Sequence, residues 1–128
     1  MKNKLFMVIA TVILSLSYAY AHGDEHSEEK KESIVKGQLI GMTCFVKHNS
    51  KGSSHVDCFK ECAKKGLPIG ILTEDKVIFQ ISGSGHEDPI KTNKKFLKYA
   101  EEKVIAKGET FSSNGVKMIV VKGIKKAK

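Results

Sequence analysis

The chain has 128 residues and a formal net charge of +8, and all 22 of its basic residues are lysine. That length fits one domain, and the balance of 41% hydrophobic and 28% charged residues excludes wholesale disorder. Three cysteines are too few for a disulfide-built miniprotein. The absence of arginine disfavours a nucleic-acid partner, because bidentate recognition of phosphate and guanine uses that side chain.

The first 21 residues have the pattern of an export signal. Two lysines precede a nearly unbroken apolar run over 5–16, and Ala19-Tyr20-Ala21 is an A-x-A cleavage signal. The run is short for a membrane-spanning helix, so we expect cleavage, no membrane span afterwards, and a periplasmic or secreted protein. Residues 22–32 are polar and charged and are interpreted as a flexible tail, which leaves 33–128 as a single domain.

Hydrophobic patterning in the domain predicts five strands and two helices. In chain order these are a strand (34–46), a helix (55–65), two strands (69–73 and 77–82), a second helix (92–100) and two final strands (104–109 and 116–124). This order predicts a mainly β fold with helices, a five-stranded OB-like barrel with an extra helix between strands 1 and 2. An open five-stranded α+β sandwich is the alternative.

Three local signals set the expected element boundaries. Ser54 and Asp57 form an S-x-x-D capping box at the start of the first helix, and Gly66 marks its end. Thr92 is the predicted cap of the second helix. Asn114-Gly115 predicts a type I′ hairpin turn before the last strand, because both residues tolerate positive φ.

The candidate chemistry lies on one face of the first helix. At 100° per residue, His55, Cys58 and Cys62 fall on a single stripe, on the side that must face the sheet. Cys44 lies near the end of the predicted first strand, just before the loop that leads to this helix. We therefore expect three sulfurs and one imidazole to meet where strand and helix join.

Three interpretations of this cluster remain open. In an oxidising compartment Cys44 can pair with Cys58 or Cys62, so that the cysteines only staple a binding module for an envelope partner. Alternatively, Cys44, His55, Cys58 and Cys62 supply a complete tetrahedral ligand set for zinc, and copper(I) accepts the same soft ligands. In the third, Cys58 is a redox thiol, activated by His55 and the helix N-terminus.

The motifs fall in a particular order along the chain: Cys44-Phe45, then His55-x-x-Cys58-x-x-x-Cys62, Lys65-Gly66-Leu67-Pro68-x-Gly70 and Thr73-Glu74-Asp75. This order resembles that of a group of small exported bacterial proteins. The resemblance implies an exported OB-like domain that carries a Cys/His cluster, and it names no reaction. Members usually have glycine after the Thr-Glu-Asp turn, where this chain has Lys76.

The sequence therefore predicts a small exported domain that binds a thiophilic metal ion, zinc or copper, for structure or for ion handling. The expected partners are that ion or an envelope protein, and no enzymatic activity is assigned. A thiol–disulfide redox protein and a disulfide-stapled binding module are the alternatives.

Overall fold

The computed structural model describes residues 30–128, so the predicted export signal and residues 22–29 of the predicted tail lie outside the described residues. The elements are β1 (Lys31–Gly41), α1 (Met42–His48), a 3₁₀ turn (Ser53–His55), α2 (Val56–Lys64), β2 (Ile69–Leu72), β3 (Ile78–Ser82), α3 (Pro89–Lys94), a second 3₁₀ turn (Leu97–Tyr99), β4 (Lys103–Ser113) and β5 (Val116–Lys126). Lys31 and Glu32, at the end of the predicted tail, are the first residues of β1 and pair with Thr110 and Glu109.

The five strands close into a barrel in the order β1-β2-β3-β5-β4. Every pair is antiparallel except β3 with β5, where Gln80, Ile81 and Ser82 run parallel to residues 118–120. The helices α1 and α2 lie between β1 and β2 along the chain. The predicted fold class, a five-stranded barrel with helical structure inserted between its first two strands, is confirmed.

Strand β1 changes neighbour halfway along its length. Its residues up to Gln38 pair with β4, and those from Gln38 to Gly41 pair with β2. The change requires a close backbone approach, because a Cβ atom at Gly37 would overlap the carbonyl oxygen of Leu72. The absence of a side chain at position 37 therefore allows β1 to pair with β4 along its first half and with β2 along its second half.

The core contains one continuous set of apolar side chains from the strands and from α2. Phe59 and Ala63 of α2 are almost wholly buried, while Asp57, Glu61 and Lys64 are exposed. Of the stripe predicted to face the sheet, His55 is buried and Cys62 is half-buried, but Cys58 is exposed. The buried cluster comprises Val35, Leu39, Phe59, Ala63, Ile69, Ile71, Ile81, Phe96, Ala100, Val104, Ala106 and Ile119.

The predicted end of the first strand is wrong. Instead of continuing to residue 46, β1 ends at Gly41, the residue paired with Ile69 at the beginning of β2. Beyond that point the ladder offers no partner, and 42–48 forms the helix α1. This helix ends at Asn49, which has φ 54° and donates its backbone N–H to the Phe45 carbonyl, while the Ser50 N–H donates to the Cys44 carbonyl.

Of the three predicted helix-end signals, the one at Gly66 is confirmed and the two N-terminal caps are wrong. No side chain caps α2, whose N-cap is His55, because Ser54 lies inside the preceding 3₁₀ turn. The predicted stop at Gly66 is confirmed by its φ of 84° and by its N–H, which bonds the Ala63 carbonyl. At α3 the cap is Asp88, which accepts from the Ile90 N–H at 2.6 Å.

Thr92, the predicted cap of the second helix, is instead buried within α3, where its hydroxyl donates to Glu87 at 2.9 Å. The predicted hairpin turn has φ values of 48° at Asn114 and 82° at Gly115, which confirms positive φ at both positions. None of the helices found between residues 30 and 128 is long and apolar enough to cross a membrane.

Candidate metal centre

The three cysteines meet on the two helices inserted between β1 and β2. Cys44 lies in the first turn of α1, and Cys58 and Cys62 lie one turn apart on α2. Their Sγ atoms all lie within 4.8 Å of one another, and those of Cys44 and Cys58 are 3.9 Å apart. Residues 44 and 58 are brought together because α1 and α2 both pack against β1.

These sulfur separations suit a tetrahedral metal ion. A Zn–S bond of about 2.3 Å places two thiolates of a tetrahedral site about 3.8 Å apart. The Cys44–Cys58 separation of 3.9 Å is close to that value, and the limit of 4.8 Å allows Cys62 to take a third corner with a small side-chain adjustment. The group can therefore supply three of the four ligands of a zinc site, or a three-sulfur site for copper(I).

The three thiols differ in their exposure to solvent. Cys58 is exposed, whereas Cys44 and Cys62 are half-buried, and all three are free thiols. Burial raises the pKa of the Cys44 thiol to about 11, with a further contribution from its hydrogen bond to Cys58. Without an ion, Cys44 therefore stays protonated at neutral pH, while Cys58 is the thiol that a reagent reaches first.

His55, the fourth predicted ligand, lies beside the three-sulfur group but not within it. The ring is buried, with 9% of the residue exposed, and it lines a narrow crevice together with Cys44 and Cys62. Its donor atoms are not among those that lie within 4.8 Å of every sulfur. The imidazole is therefore adjacent to the cluster but does not complete a four-residue group with the three thiols.

The buried carboxylate of Glu101 holds the His55 ring. Its Oε1 atom lies 2.7 Å from His55 Nδ1, and its Oε2 accepts from the Gly52 N–H at 2.8 Å and from Gln38 Nε2 at 3.3 Å. The carboxylate thus links β1, the loop before α2 and the histidine. An ionised carboxylate only accepts hydrogen bonds, so His55 Nδ1 is the donor of this pair.

The second ring nitrogen of His55 is left without a partner. Nε2 is buried and makes no hydrogen bond to any described residue. Buried polar atoms are normally satisfied, so an orphaned imidazole nitrogen beside a thiol cluster calls for an explanation. In the tautomer that carries its proton on Nδ1, toward Glu101, Nε2 presents a free lone pair, the form that binds metal ions.

The sequence pattern does not single out Glu101. It lies 46 residues beyond His55, after the second 3₁₀ turn, and it has a φ of 61°, which is unusual for a residue other than glycine. Nothing in the neighbouring sequence distinguishes it from the exposed Glu102. Only the three-dimensional arrangement shows which of the two carboxylates is buried.

Neither a protein-family model, a curated protein nor a solved structure matches this chain. The structure itself defines the molecule as a five-stranded closed β-barrel with a three-cysteine cluster on its inserted helices.

Proposed function

We propose that this protein is an exported domain that binds a thiophilic metal ion through Cys44, Cys58 and Cys62, with His55 as the fourth ligand. One observation carries the proposal: three sulfurs from two different helices lie within 4.8 Å of one another. Disulfide chemistry needs two thiols and leaves the third without a role, whereas a thiolate metal site uses all three.

The state of His55 supports its role as the fourth ligand. Metal-binding histidines typically donate their other ring N–H to a carboxylate, which fixes the ring and its tautomer. His55 has this arrangement with Glu101 at 2.7 Å, and its unpartnered Nε2 belongs to a ring that lines the crevice beside Cys44 and Cys62. Ion binding would draw the imidazole and the thiols together and give Nε2 the partner that it lacks.

The ligand set separates the two candidate ions. Zinc favours four ligands in a tetrahedron, so a zinc site here requires His55 as well as the cysteines. Copper(I) is satisfied by soft thiolates alone and does not require the imidazole. Dependence of binding on His55 therefore distinguishes zinc from copper(I) within the same protein.

The test is a competition titration of the reduced protein with zinc and with copper(I) against a chromophoric chelator. We expect one ion per chain, and replacement of zinc by cobalt(II) should give the sulfur-to-metal charge-transfer absorption of a tetrahedral thiolate site. Each of Cys44→Ser, Cys58→Ser and Cys62→Ser should weaken binding by at least about 100-fold, because changes outside the ligand set alone cost about 10–100-fold.

The matched control is Asp57→Asn, an exposed change on the same helix that adds or removes no ligand. It should leave the affinity within about twofold. Binding that survives all three serine substitutions would contradict the proposal, as would a reduced protein that takes up neither ion.

The export part of the proposal rests on the signal pattern of residues 1–21. Cell fractionation, followed by the intact mass of the mature chain, tests it. We expect a product that begins at His22 and lies outside the cytoplasm, and a full-length cytoplasmic product would contradict this part alone.

A thiol–disulfide redox protein is the second candidate. It is favoured by the exposure of Cys58 and its 3.9 Å separation from Cys44. Here the two thiols would form one disulfide and pass two protons and two electrons to a partner disulfide, which is reduced to two thiols. Reversible formation of this bond without bound metal supports the redox candidate, and three masked thiols with one bound ion support the metal site.

A further inference from the structure

A groove of about 980 Å³ lies apart from the cysteine cluster, between the first half of β1 and the turn that joins β2 to β3. Its walls include Ser33–Gln38 on one side and Leu72–Val77 on the other, and Phe79 and Lys117 also line it. None of the three cysteines lines this groove, so it is a separate feature of the barrel.

The groove exists because the part of β1 before Gln38 is not paired with β2. From Lys31 to Gly37 the strand pairs with β4 alone, and its pairing with β2 begins only at Gln38. No described strand therefore pairs with the second edge of this half of β1. A free strand edge exposes backbone N–H and C=O groups that can accept another extended chain.

Positive side chains outnumber negative ones around this edge. Six lysines line the groove, and none of them forms an ion pair with a described residue: Lys36, Lys51, Lys76, Lys103, Lys117 and Lys128. Of the fourteen described lysines outside the groove, six are each paired with a carboxylate and eight are not, so the groove is distinguished by the clustering of its lysines. Of the two acidic residues in the groove, Glu74 and Asp75, the second is engaged by the Thr73 hydroxyl.

The groove also carries apolar surface. Ile34 is 63% exposed, one of the most exposed large hydrophobic side chains among the described residues. Phe79 is half-buried, and the ammonium of Lys117 lies 5.8 Å from the centre of its ring. Lysines around apolar side chains match a ligand that alternates acidic and apolar groups.

We propose that the first half of β1 is a docking site for an extended acidic segment of a partner protein, which adds to its free edge as a β-strand. Main-chain hydrogen bonds to residues 33–37 would provide the pairing, and alternate side chains would contact Ile34 and the lysines. A second copy of this chain fits poorly, because its own β1 carries Lys36 and lies in the same lysine-lined groove, so the two copies would bring like charges together. A highly charged polymer without apolar groups would leave Ile34 uncovered.

The first experiment tests the charge. The probe is a short synthetic peptide of alternating Glu and Val, titrated by fluorescence anisotropy into the domain at low salt. The double variant Lys36→Glu/Lys76→Glu should bind it at least about tenfold more weakly, and binding should weaken as salt is added. The control Lys91→Glu/Lys125→Glu makes the same change in net charge at exposed residues outside the groove and should leave binding within about twofold.

The second experiment tests the strand pairing by hydrogen exchange of backbone amides. We expect amides within residues 33–37 that exchange rapidly in the free protein to slow by at least about tenfold at saturating peptide. An acidic peptide of similar composition interrupted by proline should bind much more weakly, because proline cannot form the ladder. Unchanged exchange at 33–37 would overturn the proposal, as would equal loss of binding in the two double variants. The proposal would also be overturned if polyphosphate bound tightly at these lysines and the Glu-Val peptide did not bind.

Discussion

His55 Nδ1 lies 2.7 Å from Glu101 Oε1, and the side chain of the glutamate is only 1% exposed. The contact joins the N-terminal end of α2 to the segment just before β4. Since the same carboxylate also binds Gly52 and Gln38, it links three parts of the chain next to the cysteine cluster. Both the stability of this region and the orientation of the imidazole should depend on it.

Glu101→Ala should lower the free energy of unfolding by about 3 kcal/mol, because it leaves the His55 Nδ1 and Gly52 N–H groups without their acceptor. Urea denaturation of the metal-free, reduced protein measures this effect. The adjacent change Glu102→Ala is the control, since Glu102 is exposed and pairs only with Lys126 at 2.8 Å. It should cost no more than about 0.5 kcal/mol. Similar losses for both variants would show that Glu101 does not have this linking role.

Glu101→Gln should weaken zinc binding by about 10–100-fold, because an amide holds the histidine N–H less strongly and less specifically than a carboxylate. Affinity for copper(I), which needs only the thiolates, should stay within about threefold. The chelator competition that defines the wild-type affinities measures both. An equal loss for both ions would mean that the substitution distorts the cysteine cluster instead of the imidazole.

Gly37→Ala should lower the free energy of unfolding by about 3 kcal/mol, because the added methyl group overlaps the Leu72 carbonyl and neither backbone can yield without breaking strand pairing. Gly123→Ala is the matched change in β5, where an added Cβ meets nothing within 4 Å. It should leave stability unchanged or raise it by about 0.5 kcal/mol. Thermal unfolding measures the stability of both variants. Equal stability would show that the change of strand partner in β1 does not depend on Gly37.

The Cys44 thiol should show a raised pKa in the reduced, metal-free protein. Because burial raises this pKa to about 11, the rate of alkylation at Cys44 should increase about tenfold per pH unit and level off only near pH 11. In urea the same thiol should level off near its ordinary value of 9.0. Mass spectrometry of peptides after timed alkylation measures both profiles. A plateau near pH 9 in the folded protein would contradict the effect of burial.

Lys76→Gly should stabilise the domain by about 0.5–1 kcal/mol. Lys76 has a φ of 65°, a left-handed conformation that costs about 1 kcal/mol for a side chain with a Cβ and little for glycine. The control Glu74→Gly lies in the same turn without positive φ and should be neutral or destabilising. Urea denaturation measures the free energy of unfolding of both variants. The difference between them should disappear if the turn rearranges around the lysine.

The turn at Lys76 does not differ in type, although lysine in place of glycine suggested that it would. The resembling proteins usually have glycine where this chain has lysine, and the backbone still takes the glycine-like conformation with Lys76 in place. Short-range signals at Gly66 and Asn114-Gly115 follow from local φ preferences and were predicted correctly. The five strands and the apolar face of α2 followed from hydrophobic periodicity in the same way.

Contacts between distant parts of the chain were not predictable. The segment 42–48 contains Thr, Phe and Val, which favour a strand, yet it is helical because the ladder with β2 stops at Gly41. As a result, Cys44 reaches the cluster from a helix instead of a strand. The meeting of Cys44 with Cys58 and Cys62 was expected from their positions, whereas the role of Glu101 depends on a contact across 46 residues.

All three cysteines lie in the one segment that connects β1 to β2. Thiols so near in sequence can find one another quickly, whereas the barrel is complete only when its last strand joins β3 and β4. In the proposed metal site, a nascent polypeptide would therefore bind the ion through its three thiols before the remaining strands assemble. Metal loading and barrel closure would then be separable events, and Glu101 would fix the histidine beside the ion only when β4 joins the barrel.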